Sequence, residues 1–280
     1  MDTVKNDPPQ VMMQLTAAPA TRRAWAADVW AHRQVTLMLA RKDFQTRYKR
    51  ASFGILWAVL LPLVQAAVFV VVFSRVGHFN HTTFDYSAFV LAGTLSWAYF
   101  AMVGQSASTS IVDGASMTDK VWFPRSVLVL VPVLSNLFSL LTSMVLLLIA
   151  LPIVGAHFTW RLLLLLPAIG LLVAFSVGFG LVTSALYVYF RDVRFIVQAG
   201  LLVVFYLTPI VYPATSLHSI GPYMALNPMT GIIGIFQLAA AGPFGPMAHA
   251  LAVSLVATVL LLGIGMEANR RRDRLFVDQL

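Results

Sequence analysis

Cysteine is absent from this chain of 280 residues, and charge is scarce, at 11% of the residues. The first absence excludes a disulfide framework, thiolate chemistry and any Cys-ligated metal or iron–sulfur site. The second excludes an ordinary soluble domain, in which about 25% of residues are charged. No G-x-x-x-x-G-K-[ST] phosphate loop occurs anywhere, so if ATP drives this protein another polypeptide must hydrolyse it. The first 50 residues hold no short apolar core followed by a cleavage site, and no secretory signal is expected there.

What is present is long apolar sequence. No Lys, Arg, Asp or Glu occurs in 51–74, 86–112, 126–160, 162–190 or 195–266. A helix crosses about 30 Å of hydrocarbon with roughly 20 apolar residues, so these blocks predict an all-α polytopic membrane protein. The alternating segments of about 10 residues that mark a membrane β-barrel are missing. Six spans are expected near 53–75, 86–106, 127–154, 162–187, 195–212 and 247–266. They lie in a transmembrane domain over 51–270, between a disordered tail over 1–23 and a short tail over 271–280.

The net charge is +8. Its placement points to membrane orientation and not to a nucleic-acid partner, since cytoplasmic loops are enriched in Lys and Arg. With six spans, all of the 19 Lys and Arg except Arg75 and Arg161 fall on one face. Both termini are therefore expected in the cytoplasm. The cluster Arg41, Lys42, Arg47, Lys49 and Arg50 stands at the edge of the first span, where attraction to anionic headgroups at about 1 kcal/mol per cation accounts for it. Residues 24–43 contain no Pro or Gly and read as helix, so 24–50 is expected to be an interfacial helix with the basic cluster. Trp25 and Val29 on one arc, and Trp30 and Leu37 on another with Arg33 between, suit a helix lying in the interface.

The stretch 208–246 is uncharged but broken by Pro209, Pro213, Pro222, Pro228, Pro243 and Pro246. Asn227 and Pro228 read as an N-cap and first helical residue. A helix from there to about residue 240 would be roughly 20 Å long, too short to span. Residues 213–246 are therefore expected to dip into the membrane and return, with Pro213, Asn227 and Pro228 marking an external gate. Irregular backbone survives at that depth only against protein or water.

Four motifs, in order, now carry a resemblance: "RYKRASFGILWAVLLPLVQAAVFVVVF" (47–73), "KVWFPRSVLVLVPVLSNL" (120–137), "VYFRDVRFIVQAGLLVVFYLTPIVYP" (188–213) and "LNPMTGIIGIF" (226–236). Together they resemble the membrane subunit of ABC-2-type polysaccharide exporters, over roughly 25–270. Two departures are visible: Ser126 stands where the family often has an acidic residue, and 229–241 lacks the family's common charges. The resemblance implies a permease of the bacterial cytoplasmic membrane, working as a homodimer with two copies of an ABC ATPase. Its implied cargo is a lipid-linked polysaccharide on a polyprenyl diphosphate, such as O-antigen, teichoic acid, capsule or cell-wall galactan. ATP and Mg would belong to the partner, with no cofactor in this chain.

Candidate residues follow. From the residues alone, Asp113, Asp119, Lys120, Trp122, Phe123 and Arg125, with Arg191, Asp192 and Arg194, read equally as solvated loops or as a docking surface. The resemblance favours docking to the ATPase. Arg47, Lys49 and Arg50 then stand where a lipid diphosphate would arrive. Trp97, Tyr99 and Tyr206 carry polar handles inside predicted spans, so they must face protein or a channel. An ion-coupled carrier is disfavoured because the predicted span interiors hold no carboxylate or cation, the usual marks of an ion path; His249, near the outer end of span six, reads as an interfacial histidine. A glycan-lipid enzyme is disfavoured because diphosphate chemistry needs clustered carboxylates or a positioned acid–base pair. Outside there is only Asp85, with His78 and His81 on the same loop.

Overall fold

Backbone in lipid must satisfy its own hydrogen bonds, and every regular element in the described residues is helical. A computed structural model describes residues 21–49, 52–54, 56–76, 85–115, 123–214, 221–242 and 247–272. The helices are α1 (Arg22–Ala31), α2 (Arg33–Tyr48), α3 (Leu56–Val76), α4 (Tyr86–Asp113), α5 (Ser126–Ile153), α6 (Leu165–Tyr189), α7 (Val193–Leu207), α8 (Pro228–Ala241) and α9 (Ala248–Arg272). A 3₁₀ turn, Trp160–Leu164, leads into α6, and one helical turn, Gly221–Met224, precedes α8. The tails over 1–20 and 273–280, Arg50, His78, His81, Asp119, Lys120 and Trp122 lie outside the described residues.

Among the described residues four helices are long and apolar enough to cross a membrane: Tyr86–Asp113, Ser126–Ile153, Trp160–Tyr189 and Ala248–Arg271. The apolar stretches Leu60–Val72, Val193–Leu207 and Pro228–Ala241 are shorter. The sequence predicted the second span to end near 106, with a loop over 107–126. Instead α4 runs to Asp113, because nothing breaks it before Gly114. Its polar residues stay within the helix by bonding backward: the hydroxyls of Ser108 and Ser110 donate to the carbonyls of Gln105 and Ala107 at 2.8 and 2.9 Å. At the other end Asp85 is the N-cap, its carboxylate accepting from the amides of Ser87 and Ala88 at 3.0 and 3.2 Å. Asp85 thus serves the start of a helix.

α4 is the core helix. Its span is 78% buried against 22% for α9, and it packs on α3, α5, α6, α7 and α8. α9 lies along α6, brought close by small residues in the manner of membrane helix pairs. A Cβ added at Gly178 would stand 2.8 Å from Leu262 N, and one at Gly265 would stand 2.7 Å from Leu181 Cβ.

The predicted interfacial helix is two helices, α1 and α2, meeting at His32. No Gly or Pro signals the break. His32 leaves helical geometry at ψ 14°, and its Nδ1 lies 2.9 Å from the Asp28 carbonyl oxygen. Beyond the break α2 packs on α5, with Val35 and Leu39 against buried Phe123, Val127 and Leu128.

Candidate transport site

Polar residues from three helices of the apolar bundle meet at its surface. A cavity of about 470 Å³ opens beside the last three turns of α4, where Met102, Gln105, Ser106, Thr109 and Asp113 form one wall. Their spacing of three and four residues puts them on a single helix face. The start of α7 supplies Arg194 and Gln198, four residues apart, and the end of α2 supplies Arg47. Polar side chains along such a face would be costly against lipid, so this wall belongs beside water or another chain.

Arg47 is held firmly. Its Nη1 donates to Asn136 Oδ1 at 2.8 Å and its Nη2 to Asp43 Oδ2 at 2.9 Å. Asn136, on α5, is 1% exposed and its Nδ2 donates to the Pro132 carbonyl at 2.7 Å. The basic end of α2 is therefore pinned to the bundle by a charge-assisted bond to a buried amide, the stronger kind of hydrogen bond.

The residues proposed for docking separate into two groups. Asp113, Arg191, Asp192 and Arg194 are exposed. Arg191 and Asp192 sit in the turn between α6 and α7, with the Arg191 guanidinium 5.3 Å from the Tyr187 ring centre. Phe123 and Arg125 are buried at 6% and 9% exposure, because α2 covers the beginning of α5. They can hold α2 in place but offer little face to a docking subunit. Lys49, at the end of α2, is exposed.

The other end of α4 holds a second arrangement. After Leu207 the chain leaves helical geometry, and Thr208, Pro209, Ile210 and Val211 run through protein interior. Ile210 is fully buried. Buried irregular backbone needs partners, and side chains supply them. The Tyr86 hydroxyl donates to the Val211 carbonyl at 2.7 Å. Gln237 of α8, itself fully buried, donates from Nε2 to the carbonyls of Pro209 at 3.0 Å and Ile210 at 3.3 Å. Asn227 caps α8 through the Met229 amide at 3.0 Å and donates to Thr208 Oγ1 at 2.8 Å. Gly93 makes room: a Cβ there would lie 2.7 Å from Gln237 Nε2. Pro213, also buried, follows this clamped stretch.

The three aromatic candidates part company. Trp97 is buried against Phe100 and Phe205. Tyr99 is buried with its hydroxyl donating to the Val133 carbonyl at 3.3 Å. Tyr206 is 65% exposed on the outer face of α7. Of the three, only Tyr206 is presented at the surface of a single chain.

Sequence reasoning passed over Gln105, Thr109, Gln198, Asn136, Gln237 and Tyr86. A usable signal existed for the first three: Gln105, Thr109 and Asp113 recur every four residues, as do Arg194 and Gln198. Asn136 and Gln237 stand out as amides within otherwise apolar helices, which membrane helices use to bond one another.

Comparison with known proteins agrees with these observations. Residues 34–239 match the family described as ABC-2 type transporter. The chain is 28% identical over 250 residues to the O-antigen export system permease protein RfbA of Myxococcus xanthus, which covers 88% of this chain and 95% of that protein. It is also 28% identical over 200 residues to the protein of the same name from Klebsiella pneumoniae, over 70% of this chain and 76% of that one.

Proposed function

Since this chain belongs to the ABC-2 type transporter family, we propose that it is the permease subunit through which a partner ATPase drives a lipid-linked glycan out of the cytoplasm. The observation that carries this reading is the polar wall of α4 at the cationic end of the bundle, lining a cavity shared with α2 and α7. A route for a hydrophilic polymer needs such a wall, and its position beside the exposed turn Arg191–Asp192 suits force delivered from outside the bilayer.

In this reading α3, α4, α5, α6, α7 and α9 cross the membrane, and both termini face the cytoplasm. α7 has 15 residues, about 22 Å of helix. The non-helical stretch 208–212 follows it, bent where the Ile210 amide donates to the Thr208 carbonyl at 2.7 Å. Two copies enclose the passage, with exposed Tyr206 on the face of α7 turned toward it. The polyprenyl diphosphate arrives at Lys49 and Arg50, beside pinned Arg47. Asp113, Arg191, Asp192 and Arg194 receive the ATPase, together with Asp119, Lys120 and Trp122, which lie in sequence between α4 and α5. At the outer end Pro213, Asn227 and Pro228 flank the closure formed by α8 and the clamped stretch 208–211.

Depleting the chain in cells that make the polymer tests this. The expected result is lipid-linked glycan accumulating on the inner leaflet while synthesis continues. Unchanged surface polymer after depletion would overturn the reading.

A further inference from the structure

The chemistry of the cavity says what it holds. Phosphate sites present uncompensated cations, often arginine, to the anion. Here one of the two cations is already paired with a carboxylate, and the other has a carboxylate in the same lining. Arg47 is bonded to Asp43 and to Asn136, and Arg194 shares the cavity with Asp113. The remaining hydrogen-bonding capacity is uncharged. Gln105, Thr109 and Gln198 line the cavity, and their side chains make no hydrogen bond among the described residues.

A primary amide and a hydroxyl each donate and accept, as a sugar hydroxyl does. Gln105 and Thr109 project from one face of α4, and Gln198 comes from α7, so hydroxyls on two sides of a sugar ring can be met at once. Met102 gives the wall an apolar patch for the C–H face of a ring. At about 470 Å³ the space is within the range of about 300–1,000 Å³ typical of small-molecule sites.

We propose that this cavity binds uncharged sugar units of the transported glycan, through Gln105, Thr109 and Gln198, and does not bind its phosphate. The inference rests on the export reading for the presence of a glycan, and adds the residues that recognise it. Gln198 lies one helical turn after Arg194, so an occupied cavity touches the same segment of α7 that begins at the turn Arg191–Asp192.

The absence of cysteine makes a clean test possible. The full-length Gln198→Cys chain, together with its ATPase, is prepared in inside-out vesicles from cells that make the lipid-linked glycan and from cells blocked in its assembly. Labelling by a hydrophilic maleimide is followed in both. Glycan-free vesicles are expected to label rapidly, and loaded vesicles about tenfold more slowly, the effect of one or two hydrogen bonds. Inorganic diphosphate added to glycan-free vesicles should leave the rate unchanged. Adding Gln105→Leu and Thr109→Val should remove the protection by glycan while glycan-free labelling persists, a result a folding defect would not give. A cysteine that never labels, or one protected by diphosphate as well as by glycan, overturns the proposal. So does labelling that glycan leaves unchanged in vesicles that export it. Vesicles that fail to export with ATP yet show protection by glycan would uphold this site and overturn the export reading instead.

Discussion

Arg47 shows how a residue recognised for its charge acquires a second description once its partners are seen. In sequence it is one of several cations at the edge of an apolar run. In the fold it is bonded to a buried amide on α5 and to Asp43, so its charge is largely committed. Lys49 is exposed and, with Arg50, is proposed to receive a diphosphate. Cations near an anionic surface contribute about 1 kcal/mol each, so replacing Arg47, Lys49 and Arg50 by Gln should lower export at limiting substrate by at least about tenfold. Unaltered membrane insertion, checked by accessibility of the termini, is part of the expected result. Export at the normal rate would leave the cluster as an orientation signal alone. Nothing in the sequence connects Arg47 with Asn136, 89 positions away. Long-range pairing of that kind has no local pattern to betray it.

At the scale of elements, local chemistry was the legible part. The Asn227–Pro228 start of α8 follows from cap preference, and the observed helix begins there with the Asn227 side chain on the Met229 amide. The end of α4 was less legible because Gln, Ser and Thr resemble loop residues by composition, while the hydroxyls of Ser108 and Ser110 find acceptors on their own helix. The burial of Phe123 and Arg125 was not legible either, since it depends on α2 folding over the start of α5. Packing between elements offers its own test. A Cβ at Gly231 of α8 would stand 2.3 Å from the Ala250 carbonyl oxygen of α9, whereas one at Gly170 of α6 meets nothing within 4 Å. Gly231→Ala should force α8 from α9 and cost about 1–3 kcal/mol, as overpacking does. Gly170→Ala should be neutral or stabilising by up to about 1 kcal/mol, the helix preference of Ala over Gly. Thermal unfolding in detergent measures both, and equal losses would show that the α8–α9 approach is looser than described.

For the molecule as a whole, the arrangement is one of two ends. At one end, cations, carboxylates, amides and hydroxyls gather around a cavity and an exposed turn. At the other, apolar α8 and the side-chain bonds of Tyr86, Asn227 and Gln237 hold a break in the chain closed. The described residues between them are the apolar bundle around α4. The class of fold could be read directly from the charge-free blocks, because a hydrocarbon solvent admits few alternatives. The polar cavity could not, since its walls come from three helices far apart in sequence.

The central claim is that this chain is a gated passage moved by force made elsewhere. Reconstituting it into liposomes with lipid-linked glycan, with and without the partner ATPase, tests that claim most directly. Translocation is expected only when both the ATPase and ATP are present. Translocation at the same rate by this chain alone would contradict it.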